Sequence, residues 1–326
     1  MTLPANSAAR VETGLPDVSV VMSVFNNADT LPAALAGILS QEGVELEFIA
    51  VDDGSTDGSA AILDEAARKD GRLKVVHRPN AGLTRALIAG CALATAPWIA
   101  RQDADDVSLP GRLAALLDRA RRQPDAVLLA SAAWCTGPRG ERLREVAVET
   151  DPAQARRDLL AARTGPPAHG SAMFSRAAYE AVGGYRACFY YGQDSDLWMR
   201  LAERGGVAYL GEPLYAYRWD PGAISGASRS LQRKFGRWGQ ACRKARADGK
   251  SEEPFLCQAA QLADDIHCGR VNKARAKDRA IGLYHAGCLM EMSDPSGARA
   301  YYWQAVSVHP FFMRAWLKLL GFGRRT

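Results

Sequence analysis

Long apolar runs are missing from this sequence. No stretch of its 326 residues could span a bilayer, and residues 1–16 are polar and small, without the apolar core of a secretory signal. The expectation is a protein that stays in the cytoplasm. Cysteine is sparse and unpatterned: Cys91, Cys135, Cys188, Cys242, Cys257, Cys268 and Cys288 are odd in number and include no Cys-x-x-Cys pair. That argues for reduced thiols and against a disulfide framework or a zinc site, and His267-Cys268 has no partner at ligand spacing. Neither Gly-x-Gly-x-x-Gly nor Gly-x-x-x-x-Gly-Lys-Ser/Thr follows a strand, which disfavours a dinucleotide cofactor and a P-loop. Composition is ordinary for a soluble chain, 48% hydrophobic and 24% charged, so global disorder is excluded. The length suits one large domain with an appendage.

Charge is spread unevenly. Residues 1–225 carry 23 Lys/Arg against 28 Asp/Glu, whereas 226–326 carry 18 against 8. A mildly acidic body with a basic tail is the expected organisation, the tail forming a separate functional layer.

Val18-Ser19-Val20-Val21-Met22-Ser23-Val24 is β-branched and nearly continuously apolar, as a strand buried on both faces of a parallel sheet requires. Asn26-Asn27-Ala28-Asp29-Thr30 supplies turn and cap residues, after which Leu31, Leu35, Ile38 and Leu39 share one helical face. The alternation continues with a strand over 46–51, a helix carrying Ile62 and Leu63, a strand over 72–77, a helix over 83–94 and a strand over 98–100. Residues 171–174 read as a strand, 176–182 as a helix, and Gly183-Gly184-Tyr185 as a tight turn.

Two acidic loops fall at strand ends, where ligands gather in open parallel sheets. Asp52-Asp53-Gly54-Ser55 has carboxylates able to accept from base or sugar groups and a glycine that permits close approach; a helix N-cap would use the same residues. Asp103-Ala104-Asp105-Asp106 is more informative. Carboxylates crowded at the exit of a buried strand repel one another, so a divalent cation is their natural neutraliser, and oxygen-only ligands favour Mg²⁺ or Mn²⁺. The competing reading is a solvated acidic turn before Pro110. Asp194 opens an amphipathic helix whose Leu197, Trp198 and Leu201 face a core; it is either a cap or a general base toward a bound hydroxyl. Arg85 either grips a diphosphate or is a surface arginine. Tyr217-Arg218-Trp219-Asp220-Pro221-Gly222, with Ser225 beyond, has the make-up of a loop that closes over a nucleotide.

In order and spacing these segments resemble the family 2 glycosyltransferases of the GT-A fold. The residues that carry the resemblance are 18–26, Val51-Asp52-Asp53-Gly54-Ser55-Thr56-Asp57, Asn80-Ala81-Gly82-Leu83-Thr84, Asp103-Ala104-Asp105-Asp106, Gly183-Gly184-Tyr185, Gln193-Asp194-Ser195-Asp196-Leu197-Trp198-Met199-Arg200 and Tyr217-Arg218. The resemblance implies an α/β, Rossmann-like, mostly parallel sheet flanked by helices, with an α-helical C-terminal region. The implied division is a flexible N-terminus over 1–16, a catalytic domain over 17–226 and a basic helical region over 227–326. It also implies a nucleotide-sugar site built from Ser23, Phe25, Asp53, Arg85 and Asp103, in which Phe25 and Asp53 meet the base and Asp103 lies near the ribose and phosphates. Asp105 would bind Mg²⁺ or Mn²⁺, with Asp220 a second hard ligand, and Asp194 would be the catalytic base.

The implied reaction is one in-line displacement at the anomeric carbon, with inversion, from a UDP-, GDP- or dTDP-sugar to a saccharide or lipid-linked acceptor in cell-surface polysaccharide or glycolipid assembly. Three positions depart from the family pattern: Ser23 stands for the usual proline, Gln193 for glutamate and Asp220 for histidine. Gln193 removes a charge beside the base without abolishing it, and Asp220 remains a ligand for a hard cation. Two other classes compete. A non-catalytic binding protein has no chemical need of both Asp105 and Asp194, and a nucleotidyltransferase would release pyrophosphate.

The tail reads as helices over 231–246, 255–268, 276–292, 295–308 and 311–320, with Ala298, Tyr301, Tyr302, Ala305 and Val306 resembling one tetratricopeptide-like unit. These helices either pack on the catalytic domain or attach the protein peripherally to the inner membrane face. In the second case Phe311, Phe312, Trp316, Leu317, Leu319, Leu320 and Phe322, flanked by Arg314, Lys318, Arg324 and Arg325, would lie in an anionic lipid interface. No nucleic-acid recognition motif accompanies the charge, so nucleic acid is not an expected partner.

Overall fold

The apolar run after Pro16 becomes β1 (Val18–Val24), six of whose seven residues are buried. Residues 14–137, 140–219, 228–271, 276–291 and 294–321 are described by the computed structural model. After β1 come α1 (Leu31–Leu39), β2 (Leu46–Asp52), α2 (Ser59–Lys69), β3 (Leu73–His77), α3 (Leu83–Ala92) and β4 (Trp98–Asp103). All four strands run parallel in the order β3-β2-β1-β4. Side chains alternate between faces along each strand, so Val18, Val20, Met22 and Val24 pack toward α1 while Val21, Ile49 and Val51 pack toward α3. Gly90 makes the second contact possible: a Cβ there would lie 2.6 Å from Val21 Cγ1.

The sheet continues through β5 (Val107–Ser108), α4 (Arg112–Arg122), β6 (Ala126–Thr136), β7 (Arg142–Val146), α5 (Pro152–Leu160), β8 (Ala172–Ser175), α6 (Arg176–Ala181), α7 (Gln193–Arg204) and β9 (Gly206–Arg218). Short β8 lies antiparallel between β4 and β6 and joins the two parallel groups; β9 runs parallel to β6 and antiparallel to β5. The α/β sheet with a helical C-terminal region is thus the architecture observed, its parallel part concentrated in the first half.

Among the described residues five helices follow: α8 (Arg229–Ala247), α9 (Glu253–His267), α10 (Ala276–Met290), α11 (Pro295–Val308) and α12 (Met313–Leu319). They pack in two ways. Leu231, Phe235, Ala259 and Ile266 of α8 and α9 close over Phe189 and Tyr191. By contrast α10, α11 and α12 build a cluster of their own around Leu283, Tyr302, Ala305 and Leu319, with Leu143 of β7 packed against it. The apolar residues of the last helix divide accordingly. Leu319 is buried and Trp316 half-buried, its indole N–H donating to Pro310 O, whereas Phe311, Met313, Leu317 and Leu320 are exposed. Lys318 is drawn into an ion pair with Glu291. Phe322, Arg324 and Arg325 lie outside the described residues. No described helix is long and apolar enough to cross a membrane.

Candidate active site

Three parallel strands deliver the site's residues to one edge. Ser23 pairs in register with Val51 on one side and Asp103 on the other, and Val24 pairs with Asp52. After β1 the chain turns at Asn26, which has φ 55° and is held by Thr56 N donating to its Oδ1 at 2.8 Å. The turn leaves Phe25 46% exposed, an apolar ring presented to solvent at the sheet edge.

The two aspartates after β2 do different work. Asp52 is structural: Ser55 N donates to its Oδ1, and its Oδ2 lies 2.8 Å from His77 Nδ1, whose other ring nitrogen lies 3.0 Å from Asp64. Burial pushes the Asp52 carboxyl upward, but the Ser55 and His77 hydrogen bonds prevail and hold it below its ordinary value. Asp53, only 1% exposed, accepts from Gly82 N at 2.7 Å and Ala81 N at 3.0 Å. It therefore clamps the loop before α3 against the loop after β2. Gly54 sits in that junction with φ 78°, where a Cβ would come within 2.8 Å of Asn80 N.

In the second acidic loop, Asp103 is the last residue of β4 and is held by the guanidinium of buried Arg101. Asp105 forms no ion pair with any described residue; burial and the Asp103 charge push its carboxyl up to about 6. Asp106 faces inward and accepts from Arg218 N at 2.8 Å; burial and the charges of Asp105 and Asp103 raise it well above the usual range. The loop thus gathers three carboxyl groups at one strand end, two of them raised chiefly by burial. These are hard oxygen donors, the set that suits Mg²⁺ or Mn²⁺. Among the described residues no three His, Cys, Asp or Glu side chains converge closely enough to hold a metal by themselves. Asp220 lies outside the described residues.

Helix α7 separates its first two acids. Asp196 is buried and paired with Arg200, which donates to it at 2.6 and 3.0 Å. Asp194 is half-buried, and among the described residues its hydrogen-bond partner is its neighbour Ser195, whose N donates to Oδ1 at 2.7 Å. Burial, and after it the charge of Asp103, raises the Asp194 carboxyl. Asp103 therefore acts on both Asp105 and Asp194, and the three share one electrostatic site. Arg85, exposed on α3, instead lines a small crevice with Tyr190 and His267.

Several supporting residues carry no sequence motif. Arg112 is completely buried beneath the acidic loop and donates to Gly170 O at 2.6 Å, Ser108 Oγ at 2.7 Å and Arg101 O at 3.0 Å. Its guanidinium lies 5.0 Å from the centre of the Tyr215 ring, and the Tyr215 hydroxyl accepts from Asp103 N at 3.2 Å. Arg101 had one visible signal, an arginine directly continuing an apolar strand. Arg112 had none, because a helix-start arginine normally stays in solvent.

Comparison with known proteins yields a consistent set of relatives. Residues 19–183 match the family model described as "Glycosyl transferase family 2". The putative glycosyltransferase EpsE of Bacillus subtilis is 34% identical over 217 residues, 64% of this chain and 75% of that protein. The succinoglycan biosynthesis protein ExoO of Rhizobium meliloti is 39% identical over 107 residues, 32% of this chain and 30% of that protein. Among solved structures, S. aureus TarS 1–349 in complex with UDP-GlcNAc superposes with a TM-score of 0.57 at 16% identity, covering 95% of this chain and 93% of TarS 1–349. The mannosyltransferase PcManGT from Pyrobaculum calidifontis, in complex with GDP-Man and Mn²⁺, gives 0.52 at 19% identity, covering 95% and 85%.

Proposed function

The chain belongs to glycosyl transferase family 2, and from that premise we propose an inverting, metal-dependent transfer of a sugar from a nucleotide-sugar donor to an acceptor hydroxyl. One observation supports the reading most directly: parallel β1, β2 and β4 end side by side at Val24, Asp52 and Asp103 with Asp105 in the loop that follows, and after burial the Asp103 charge raises both Asp105 and Asp194. Residues 17–226 are taken as the catalytic domain and 227–326 as its helical partner. The exposed Phe25 ring offers a stacking face for the nucleotide base. Asp53 shapes the wall opposite through its hold on the Ala81–Gly82 backbone. Ser23 and Asp103, paired across β1 and β4, flank the ribose and diphosphate, and Arg85 is the proposed cation for a phosphate oxygen.

Asp194 does the proton chemistry. Its Oδ1 is fixed by Ser195 N, which leaves Oδ2 to accept the acceptor hydroxyl's proton, and burial, which raises its proton affinity, makes it a better base. As the proton leaves, the acceptor oxygen bonds to the anomeric carbon from the face opposite the diphosphate. The carbon–oxygen bond to the diphosphate breaks, and the anomeric configuration inverts. Asp105, with Asp103 beside it, would hold Mg²⁺ or Mn²⁺, and Asp220 would complete a ligand set shared with substrate oxygens. When bound, the ion supplies neutralisation for the departing nucleoside diphosphate.

The relative named for succinoglycan biosynthesis supports a role in surface polysaccharide assembly, and the exposed Phe311, Met313, Leu317 and Leu320 support docking of a cytoplasmic protein at the inner membrane face. The decisive test is Asp194→Asn. Transfer should be lost, with at least about a hundredfold fall in turnover, while donor nucleotide-sugars and Mn²⁺ still raise the melting temperature. Unchanged turnover would refute the assignment. Release of pyrophosphate instead of a nucleoside diphosphate would identify a nucleotidyltransferase.

A further inference from the structure

Beyond the strand-end site, α8, α10 and the start of α12 enclose a groove of about 600 Å³. Its walls carry Arg229, Arg233, Lys277 and Arg314 together with the rings of Tyr284 and Phe312. None of these four cations forms an ion pair with a described residue, although the same helices satisfy other cations, as in Arg246 with Glu203 and Glu252 and Lys318 with Glu291. Asp278, whose charge reaches Arg229, is buried and accepts from Ser230 N at 3.0 Å and from Ser230 Oγ. The lining itself holds four cations and no acid, so the groove is net positive. Burial and then the Arg233 charge lower Arg229, and burial followed by the Arg229 and Arg314 charges lowers His285 on the same wall.

We infer that this groove holds the acceptor, and that the acceptor is an anionic saccharide chain bearing phosphate or carboxylate groups. The inference rests on the glycosyltransferase reading above and extends it to the acceptor's chemistry. Guanidinium forks match phosphate and carboxylate oxygens, and flat aromatic faces pack against the C–H faces of sugar rings. The volume lies in the range of pockets that enclose a few rings. Position favours the same occupant. Arg229 directly follows Ser228, whose Oγ lies 3.2 Å from Tyr191 Oη, and Tyr191 precedes Asp194 by three positions. The helix that forms one wall of the groove, α8, therefore begins where the chain contacts the segment leading into α7.

The test uses the full-length protein and titrates hexagalacturonate and a phosphorylated oligomannoside, with maltohexaose as the neutral control. Phosphatidylglycerol vesicles and a single-stranded oligonucleotide are the competing anions. Saturable binding of one charged oligosaccharide but not of maltohexaose is expected, and which one binds separates phosphate from carboxylate recognition. Arg233→Ser and Arg314→Ser change exposed residues and should each weaken binding about tenfold, with Lys277→Ser as a further exposed variant and circular dichroism to verify folding. Stabilisation by nucleotide-sugars and donor hydrolysis without acceptor should be unchanged in all three. Binding that ignores these substitutions, equal affinity for maltohexaose, absence of binding by both charged sugars, or vesicle or oligonucleotide binding that is itself lost in Arg233→Ser and Lys277→Ser overturns the inference. If donor hydrolysis persists while the charged sugars fail, only the acceptor inference falls. If the wild-type protein neither binds nor hydrolyses any donor, the transferase reading falls, and the groove is judged on its own binding data.

Discussion

Replacing Arg112 with methionine would remove the cation under the acidic loop while keeping the length of its stem. The arginine is fully buried, and burial lowers it to about 10, so it stays charged at neutral pH. Its strongest contact is to Gly170 O, which lies in a short 3-10 turn over His169–Ser171. Leaving a buried carbonyl without its donor costs about 1–3 kcal/mol, and the weaker bonds to Ser108 Oγ and Arg101 O add about 1 kcal/mol together, because both are embedded in other bonded structure. Relief of the guanidinium's own desolvation returns part of this. The expected net loss is about 2–3 kcal/mol, read as a fall of about 4–8 °C in melting temperature for a chain this long. Arg112→Lys should recover little, since one ammonium cannot span three acceptors set for a planar fork. Calorimetry on both variants checks the numbers. A methionine variant as stable as wild type would refute the claim that the loop's underside depends on a buried cation.

Glu47 provides a test in acid. Burial works to raise its carboxyl, but hydrogen bonds from Lys74, Ser19 and Thr95 outweigh that and bring it down to about 2. Because the folded value lies below the unfolded one, the stabilisation is complete above about pH 4.5 and disappears as pH falls toward 2; it amounts to at most about 3 kcal/mol. Glu47→Gln should therefore be less stable at pH 7, with the gap to wild type closing in acid urea titrations. His77 has the opposite sign. Asp52 and Asp64 raise it, so its contribution is present below about pH 6.5 and is lost as pH rises through the folded value; His77→Ala should reduce stability at pH 6 more than at pH 9. Gly54→Ala should cost about 1–3 kcal/mol, from a positive φ and a Cβ 2.8 Å from Asn80 N, and chemical denaturation would measure it.

The first half of the sheet was legible because burial on both faces forces nearly continuous apolar segments, and β1 and β2 carry them. β6 and β9 were not, because Ala126-Val-Leu-Leu-Ala-Ser-Ala-Ala reads equally as helix and β9 runs through Gly211 and Pro213. Candidate site positions were legible where acids stand at a strand end or a helix start, as at Asp103, Asp105 and Asp194. Roles within each acidic pair were not, since spacing does not say which carboxylate turns inward: Asp52 and Asp196 are spent on His77 and Arg200, whereas Asp194 stays open.

By itself, then, the sequence determined the strand–helix alternation, the acidic strand ends and the basic character of the tail, all of them consequences of local periodicity and composition. Tertiary structure decided what depends on contacts between residues far apart in the chain. It put Arg112 of α4 under a loop that ends β4. It brought Asp103 within electrostatic reach of Asp194, and it gathered cations from α8, α10 and α12 around one groove. Charge acts through space and burial amplifies it, so neither effect can be read from position along the chain.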